Sequence, residues 1–107
     1  MRIGIVGGVG RNQPQLYELA ARAGHVLEVH DGDVGGRGAV ALAALVRRAD
    51  LVVIAMEVNS HGAVRLARRL CKSSGTAALV LRTASPARVA ELLTGAAAPD
   101  GALAATG

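Results

Sequence analysis

The sequence contains a single tyrosine and neither phenylalanine nor tryptophan. Proteins that bind single-stranded nucleic acid usually stack its bases on aromatic side chains, so this composition argues against that class. A core in this chain has to be built from Val, Leu, Ile and Ala. Its 107 residues allow one domain with one modest core.

Cysteine and long apolar runs are also scarce. The single cysteine, Cys71, excludes an internal disulfide and a cluster of thiolate metal ligands, and is interpreted as a core or interface residue. Met1 and Arg2 lead directly into a strand pattern, which is not typical of a signal peptide. The longest charge-free apolar stretch, residues 38–46, is too short to span a bilayer. We therefore expect a cytoplasmic protein without a membrane partner.

Acidic residues are outnumbered by basic ones, eight against twelve, and eleven of the basic residues are arginine. A basic excess favours polyanionic partners such as nucleic acid. A proteome that simply prefers arginine and alanine gives the same composition. The overall charge therefore leaves both interpretations open.

Four apolar, partly β-branched runs alternate with four segments of helical periodicity. This alternation predicts an α/β fold with a parallel sheet and right-handed crossovers. We expect a small doubly wound domain over residues 1–94, similar to Rossmann and flavodoxin folds, with helices on both faces and strand order 2-1-3-4. The Ala- and Gly-rich residues 95–107 have no periodicity and are interpreted as a tail. The strands are predicted at 3–6, 25–30, 51–56 and 77–81, and the helices begin near Pro14, Ala39, His61 and Pro86.

The first loop, GGVGRN at 7–12, lies between a predicted strand and a predicted helix, where backbone N–H groups suit an anion. Gly8 and Gly10 match two glycines of a dinucleotide fingerprint, but Gln13 replaces the third. The alternative is a tight turn in which glycine is needed for positive φ. The candidate phosphate-binding residues at the carboxyl ends of the strands are Gly7, Gly8, Gly10, Arg11, Asn12, Arg37 and Arg82.

The sequence HDGD at 30–33 follows the second predicted strand. Asp31 and Asp33, together with His30, suit a hard divalent metal such as Mg²⁺ or Mn²⁺. Asp31 also stands near the position of a ribose-binding acid in a nucleotide fold. A solvated Asp-Gly turn explains the same residues. If a metal is bound it activates water, and the candidate catalytic residues are His30, Asp31 and His61, the last as a proton carrier.

Four basic residues share one face of the third predicted helix. Arg65, Arg68, Arg69 and Lys72 are spaced i, i+3, i+4, i+7, and we call them the basic stripe. Such a stripe suits a phosphate backbone. The alternative is an ordinary solvated helix face, although such faces usually mix acidic with basic residues and this one has no acid.

Several of these segments together resemble a bacterial family known as domain of unknown function 2325. They are IVGG at 5–8 with Asn12, HDG at 30–32, RADLVV at 48–53, SH at 60–61 and RLCK at 69–72. The resemblance covers about residues 2–93. It implies a small doubly wound α/β domain and a cytoplasmic bacterial protein, and it implies no particular reaction.

The leading hypothesis is a homodimer that binds nucleic acid through its phosphates and, with a metal at HDGD, cleaves it as a nuclease or phosphodiesterase. A dimer is expected because a four-stranded sheet leaves two open edges and the second helix is largely apolar; exchange of a terminal helix (domain swapping) is one route. The alternatives are a non-catalytic domain that binds or senses a nucleotide or small anion, and a protein-interaction module.

Overall fold

The structure is a computed structural model that describes residues 1–7, 12–56, 61–82 and 85–93. These residues form strands and helices in strict alternation. The elements are β1 (Arg2–Val6), α1 (Gln13–Arg22), β2 (Val26–His30), α2 (Arg37–Arg48), β3 (Leu51–Ala55), α3 (His61–Ser74), β4 (Ala77–Leu81) and α4 (Pro86–Leu93).

The strands form one parallel sheet in the order β2-β1-β3-β4. In the middle of the sheet, Ile5 lies opposite Val29 on one side and Val53 on the other. Both the doubly wound α/β fold and the strand order are confirmed. The main difference from the predicted bounds is at α2, which begins at Arg37 rather than near Ala39, because Gly38 is accommodated in the first helical turn.

Helices cover both faces of the sheet, as predicted. On one face, α1 and α4 pack together over a core that includes Ile5, Leu16 and Val89. On the other face, α2 and α3 pack together over a core that includes Leu42, Ile54 and Cys71. Every residue of β3 is buried, as expected for a central strand covered on both sides. Burial against apolar neighbours also raises the pKa of the Cys71 thiol, which is consistent with a core residue.

A cluster of charged residues joins the end of α2 to the edge strand β2. The Arg48 guanidinium donates two hydrogen bonds to Glu28, from Nε to Oε1 at 3.1 Å and from Nη2 to Oε2 at 2.7 Å. Arg2 Nη1 lies 3.6 Å from the same carboxylate. These cations hold the pKa of Glu28 below its ordinary value, chiefly through the Arg48 hydrogen bonds. The contact ties α2 down at its C-terminal end.

No helix within the described ranges is both long enough and apolar enough to cross a membrane. The predicted domain end at residue 94 and the predicted tail at 95–107 lie outside the described residues.

Candidate functional site

A cleft of about 660 Å³ opens at the carboxyl ends of β1 and β2, beside the first turns of α1 and α2. In this fold class, ligands bind at that edge of the sheet. The cleft brings together parts of two segments that the sequence singled out, the end of the first strand and the HDGD loop. Its lining consists of Gly7, Gln13, Val29, His30, Asp31, Asp33, Gly35, Arg37, Gly38 and Ala41.

His30 is the buried polar residue at the base of this cleft, with 7% of its surface exposed. Its Nε2–H donates to the carbonyl oxygen of Gly38 at 2.8 Å, and its Nδ1 accepts the Gly32 N–H at 2.9 Å. A backbone N–H only donates and a carbonyl only accepts, so these partners assign the neutral tautomer with the proton on Nε2. His30 therefore fastens the loop after β2 to the first turn of α2.

This geometry bears on the roles predicted for His30. Metal binding needs an unprotonated ring nitrogen with a free lone pair, and both ring nitrogens of His30 already have backbone partners. A role as metal ligand or proton carrier would therefore require one of these hydrogen bonds to break. The structure shows His30 organising the loop, and its role as a catalytic residue stays a prediction.

The carboxylates of Asp31 and Asp33 are exposed and make local contacts. Asp31 Oδ1 accepts the Asp33 N–H at 2.8 Å, and Asp33 Oδ1 accepts the Gly35 N–H at 3.0 Å. These are the contacts of ordinary Asp turns. Across the described part of the chain, no group of three or more His, Cys, Asp or Glu side chains is placed to hold a metal ion. Metal binding by Asp31 and Asp33 stays a prediction.

Gly38 is a determinant of the cleft that sequence reasoning missed. A Cβ atom on Gly38 would overlap the carbonyl oxygen of Asp33 and would lie 2.8 Å from the carbon of that carbonyl. The Gly38 N–H also donates to the Gly35 carbonyl at 3.0 Å, and its own carbonyl accepts from His30. The density of glycine in the sequence GGRG was the available signal, but the partner that excludes a side chain is visible only in three dimensions.

The predicted phosphate-binding residues are only partly brought together. Gly7 lines the cleft with a φ of 139°, and its N–H donates to the His30 carbonyl at 2.9 Å. Arg37 is exposed, begins α2 and also lines the cleft. Asn12 precedes α1 without a side-chain capping hydrogen bond, and the exposed Arg82 follows β4; neither of these two described residues lines the cleft. Gly8, Gly10 and Arg11 lie outside the described residues.

His61 is the first residue of α3, but its side chain lies outside what the structure describes. The basic stripe lies on the solvent face of the same helix, and all four of its side chains are exposed. Ala63 and Ala67 face the core. Within the described residues, no acidic side chain pairs with a member of the stripe.

The fold and the position of the cleft define a small doubly wound α/β domain. A family model described as "Uncharacterized protein conserved in bacteria (DUF2325)" matches residues 2–96. The chain belongs to this family, which confirms the resemblance seen in the sequence. Searches of curated proteins and of solved structures gave no match.

Proposed function

We propose that this protein binds nucleic acid through its phosphates, and that the basic stripe of α3 makes the contacts. The proposal rests on one observation, the exposure of four cationic side chains on a helix without acidic residues. Arg65, Arg68, Arg69 and Lys72 are all exposed, and α3 contains no acidic residue. Solvated helix faces are usually stabilised by pairs of opposite charge at i, i+4, whereas this face concentrates charge of one sign.

The energetic argument is the release of counterions from the nucleic acid. Each phosphate that a cation neutralises contributes about 0.9 to the slope of log affinity against log salt for duplex DNA. Contacts of this kind carry no base information, so binding is expected to be independent of sequence.

The test is a fluorescence anisotropy titration of a labelled duplex at several salt concentrations. Arg65→Gln with Arg69→Gln is expected to lower the slope by about 1.8, the share of two phosphate contacts, for each protomer that contacts the duplex. The matched control is Arg65→Lys with Arg69→Lys, which keeps both charges and should keep the slope. An unchanged slope in the glutamine variant would show that the stripe is only a solvated face.

A second candidate function is favoured by the cleft, namely non-catalytic binding of a nucleotide or other small anion. Arg37 is the first residue of α2, a helix whose N-terminus has no side-chain cap, and this N-terminus and the guanidinium together suit a phosphate. The exposed Asp31 carboxylate on the same cleft is an acceptor for ligand hydroxyl groups. Calorimetry with mononucleotides tests this function. Binding is expected to be lost in Arg37→Gln and kept in Arg88→Gln, which removes an arginine from α4 instead.

Metal-dependent cleavage of the bound nucleic acid stays a further proposal. It is supported by two carboxylates, Asp31 and Asp33, on one cleft. A part for His30 in the reaction would require one of its two hydrogen bonds to break. A nuclease assay with Mg²⁺ or Mn²⁺ tests it. Activity that requires the metal and disappears in Asp31→Asn is expected, and full activity in that variant would place the reaction elsewhere.

A further inference from the structure

The two helical layers of this domain differ sharply in charge. In the layer formed by α1 and α4, each helix has one acidic and one basic residue. These residues pair within each helix, Arg22 with Glu18 at 2.7 Å and Arg88 with Glu91 at 3.6 Å. The charge of this layer is therefore balanced locally.

The layer formed by α2 and α3 has charge of one sign. The sequence of α2 contains three arginines, that of α3 contains four basic residues, and neither helix contains an acid. Among the described residues, Arg48 is the member of this layer with an ion-pair partner, Glu28 of β2. Arg37 and Arg47, at opposite ends of α2, are exposed. Because α2 and α3 pack side by side on one face of the sheet, these charges share one surface.

We infer that α2 and α3 together form one surface for double-stranded nucleic acid, in which Arg37 and Arg47 contact phosphates in addition to the basic stripe. This inference rests on the proposed function and extends it to a second helix and to a class of partner. The sequence alone did not reveal this surface, because α2 and α3 become neighbours in space only through the order of the strands.

The preference for a duplex follows from the extent of the charged surface and from the lack of aromatic residues. Because α2 and α3 are neighbours, their cations extend over a surface wider than one helix, which suits the two phosphate backbones of a duplex. A single strand offers one backbone and is held largely by base stacking. The one tyrosine of the chain, Tyr17, belongs to α1 in the opposite layer.

The test compares a duplex with a single strand of the same length by fluorescence anisotropy over a range of salt concentrations. The test variant is Arg37→Gln with Arg47→Gln, and the control is Arg22→Gln with Arg88→Gln, which removes the same charge from the balanced layer. All four side chains are exposed, so both variants should keep the wild-type melting temperature. The test variant should lower the duplex salt slope by about 1.8 for each protomer that contacts the duplex. The control should leave the slope unchanged, and wild type should prefer the duplex.

Each other outcome overturns a defined part of the inference. If Arg65→Gln with Arg69→Gln weakens binding but Arg37→Gln with Arg47→Gln does not, the proposed function stands and the role of α2 is refuted. Equal losses of duplex affinity in the test and control variants would show that the effect comes from the net charge of the protein and not from the position of Arg37 and Arg47. Equal affinity for single strands, or an acidic polypeptide that competes as well as the duplex, would refute the assignment of the partner. If wild type binds neither form of nucleic acid, the proposed function fails as well.

Discussion

Substitution of Gly38 by alanine tests whether the cleft is built as described. Gly38 lies in the first turn of α2, and helix propensity alone predicts that alanine stabilises such a position by about 1 kcal/mol. The structure predicts the opposite sign. A Cβ atom would overlap the Asp33 carbonyl oxygen, which belongs to the backbone and has no rotamer into which it can move.

The expected magnitude follows from what has to shift. To relieve the overlap, either the loop or the first turn of α2 has to move. Such a movement strains the two hydrogen bonds of Gly38, with the Gly35 carbonyl at 3.0 Å and with His30 at 2.8 Å. Overpacking costs about 1–3 kcal/mol and each weakened hydrogen bond about 1 kcal/mol. After subtraction of the gain of about 1 kcal/mol in helix propensity, we expect a net loss of about 2–4 kcal/mol.

Urea denaturation followed by circular dichroism measures this loss, and Gly35→Ala is the matched control. A Cβ atom on Gly35 would lie 3.4 Å from Asp33 Oδ1, which is close to ordinary contact. That variant should change the free energy of unfolding by less than about 1 kcal/mol. If Gly38→Ala is as stable as wild type or more stable, the described junction between the HDGD loop and α2 is wrong.

Three further predictions concern His30, Glu28 and the oligomeric state. His30→Phe leaves the Gly32 N–H and the Gly38 carbonyl without their partner and should cost about 2–4 kcal/mol in urea denaturation; a cost below about 1 kcal/mol would contradict the assigned hydrogen bonds. The pKa of Glu28 is lowered because its ionised carboxylate pairs with Arg48, and this pair stabilises the fold at pH values above the ordinary pKa of 4.5. The contribution is below about 1 kcal/mol for a partly exposed pair, and it is lost as the pH falls through the lowered pKa. Glu28→Gln should therefore reduce the loss of stability between pH 5 and pH 3, and unchanged pH dependence would refute the coupling. We expect a dimer by light scattering at tens of micromolar, because β2 and β4 are edge strands and Val40 is 69% exposed; a monomer would refute this.

The fold could be predicted almost completely, because its signals are local and repeated. The apolar run of β3 and the i, i+3, i+4 spacing of α1 identify their elements directly. Right-handed crossovers then leave few possible strand orders. The sequence predicts a later start for α2 than the structure shows, because the glycines around Arg37 are typical of a loop, whereas the helix already includes Arg37 and Gly38.

The arrangement of the site was much less predictable. The sequence predicts that His30 lies at this edge of the sheet, where the cleft is. Its partners are backbone atoms of Gly32 and Gly38, and no side-chain pattern indicates them. The basic stripe was evident from spacing within one helix. Its continuation onto Arg37 and Arg47 was not, because two helices that are separate in the sequence meet only through the order of the strands.

The salt dependence of duplex binding by the wild-type protein tests the central claim most directly. The four residues of the basic stripe predict that the slope of log affinity against log salt is about −3.6 or steeper. Phosphate contacts from α2 would make the slope more negative. The same slope is expected for duplexes of unrelated sequence. A slope near zero, or no binding at low salt, would contradict phosphate recognition by this face of the molecule.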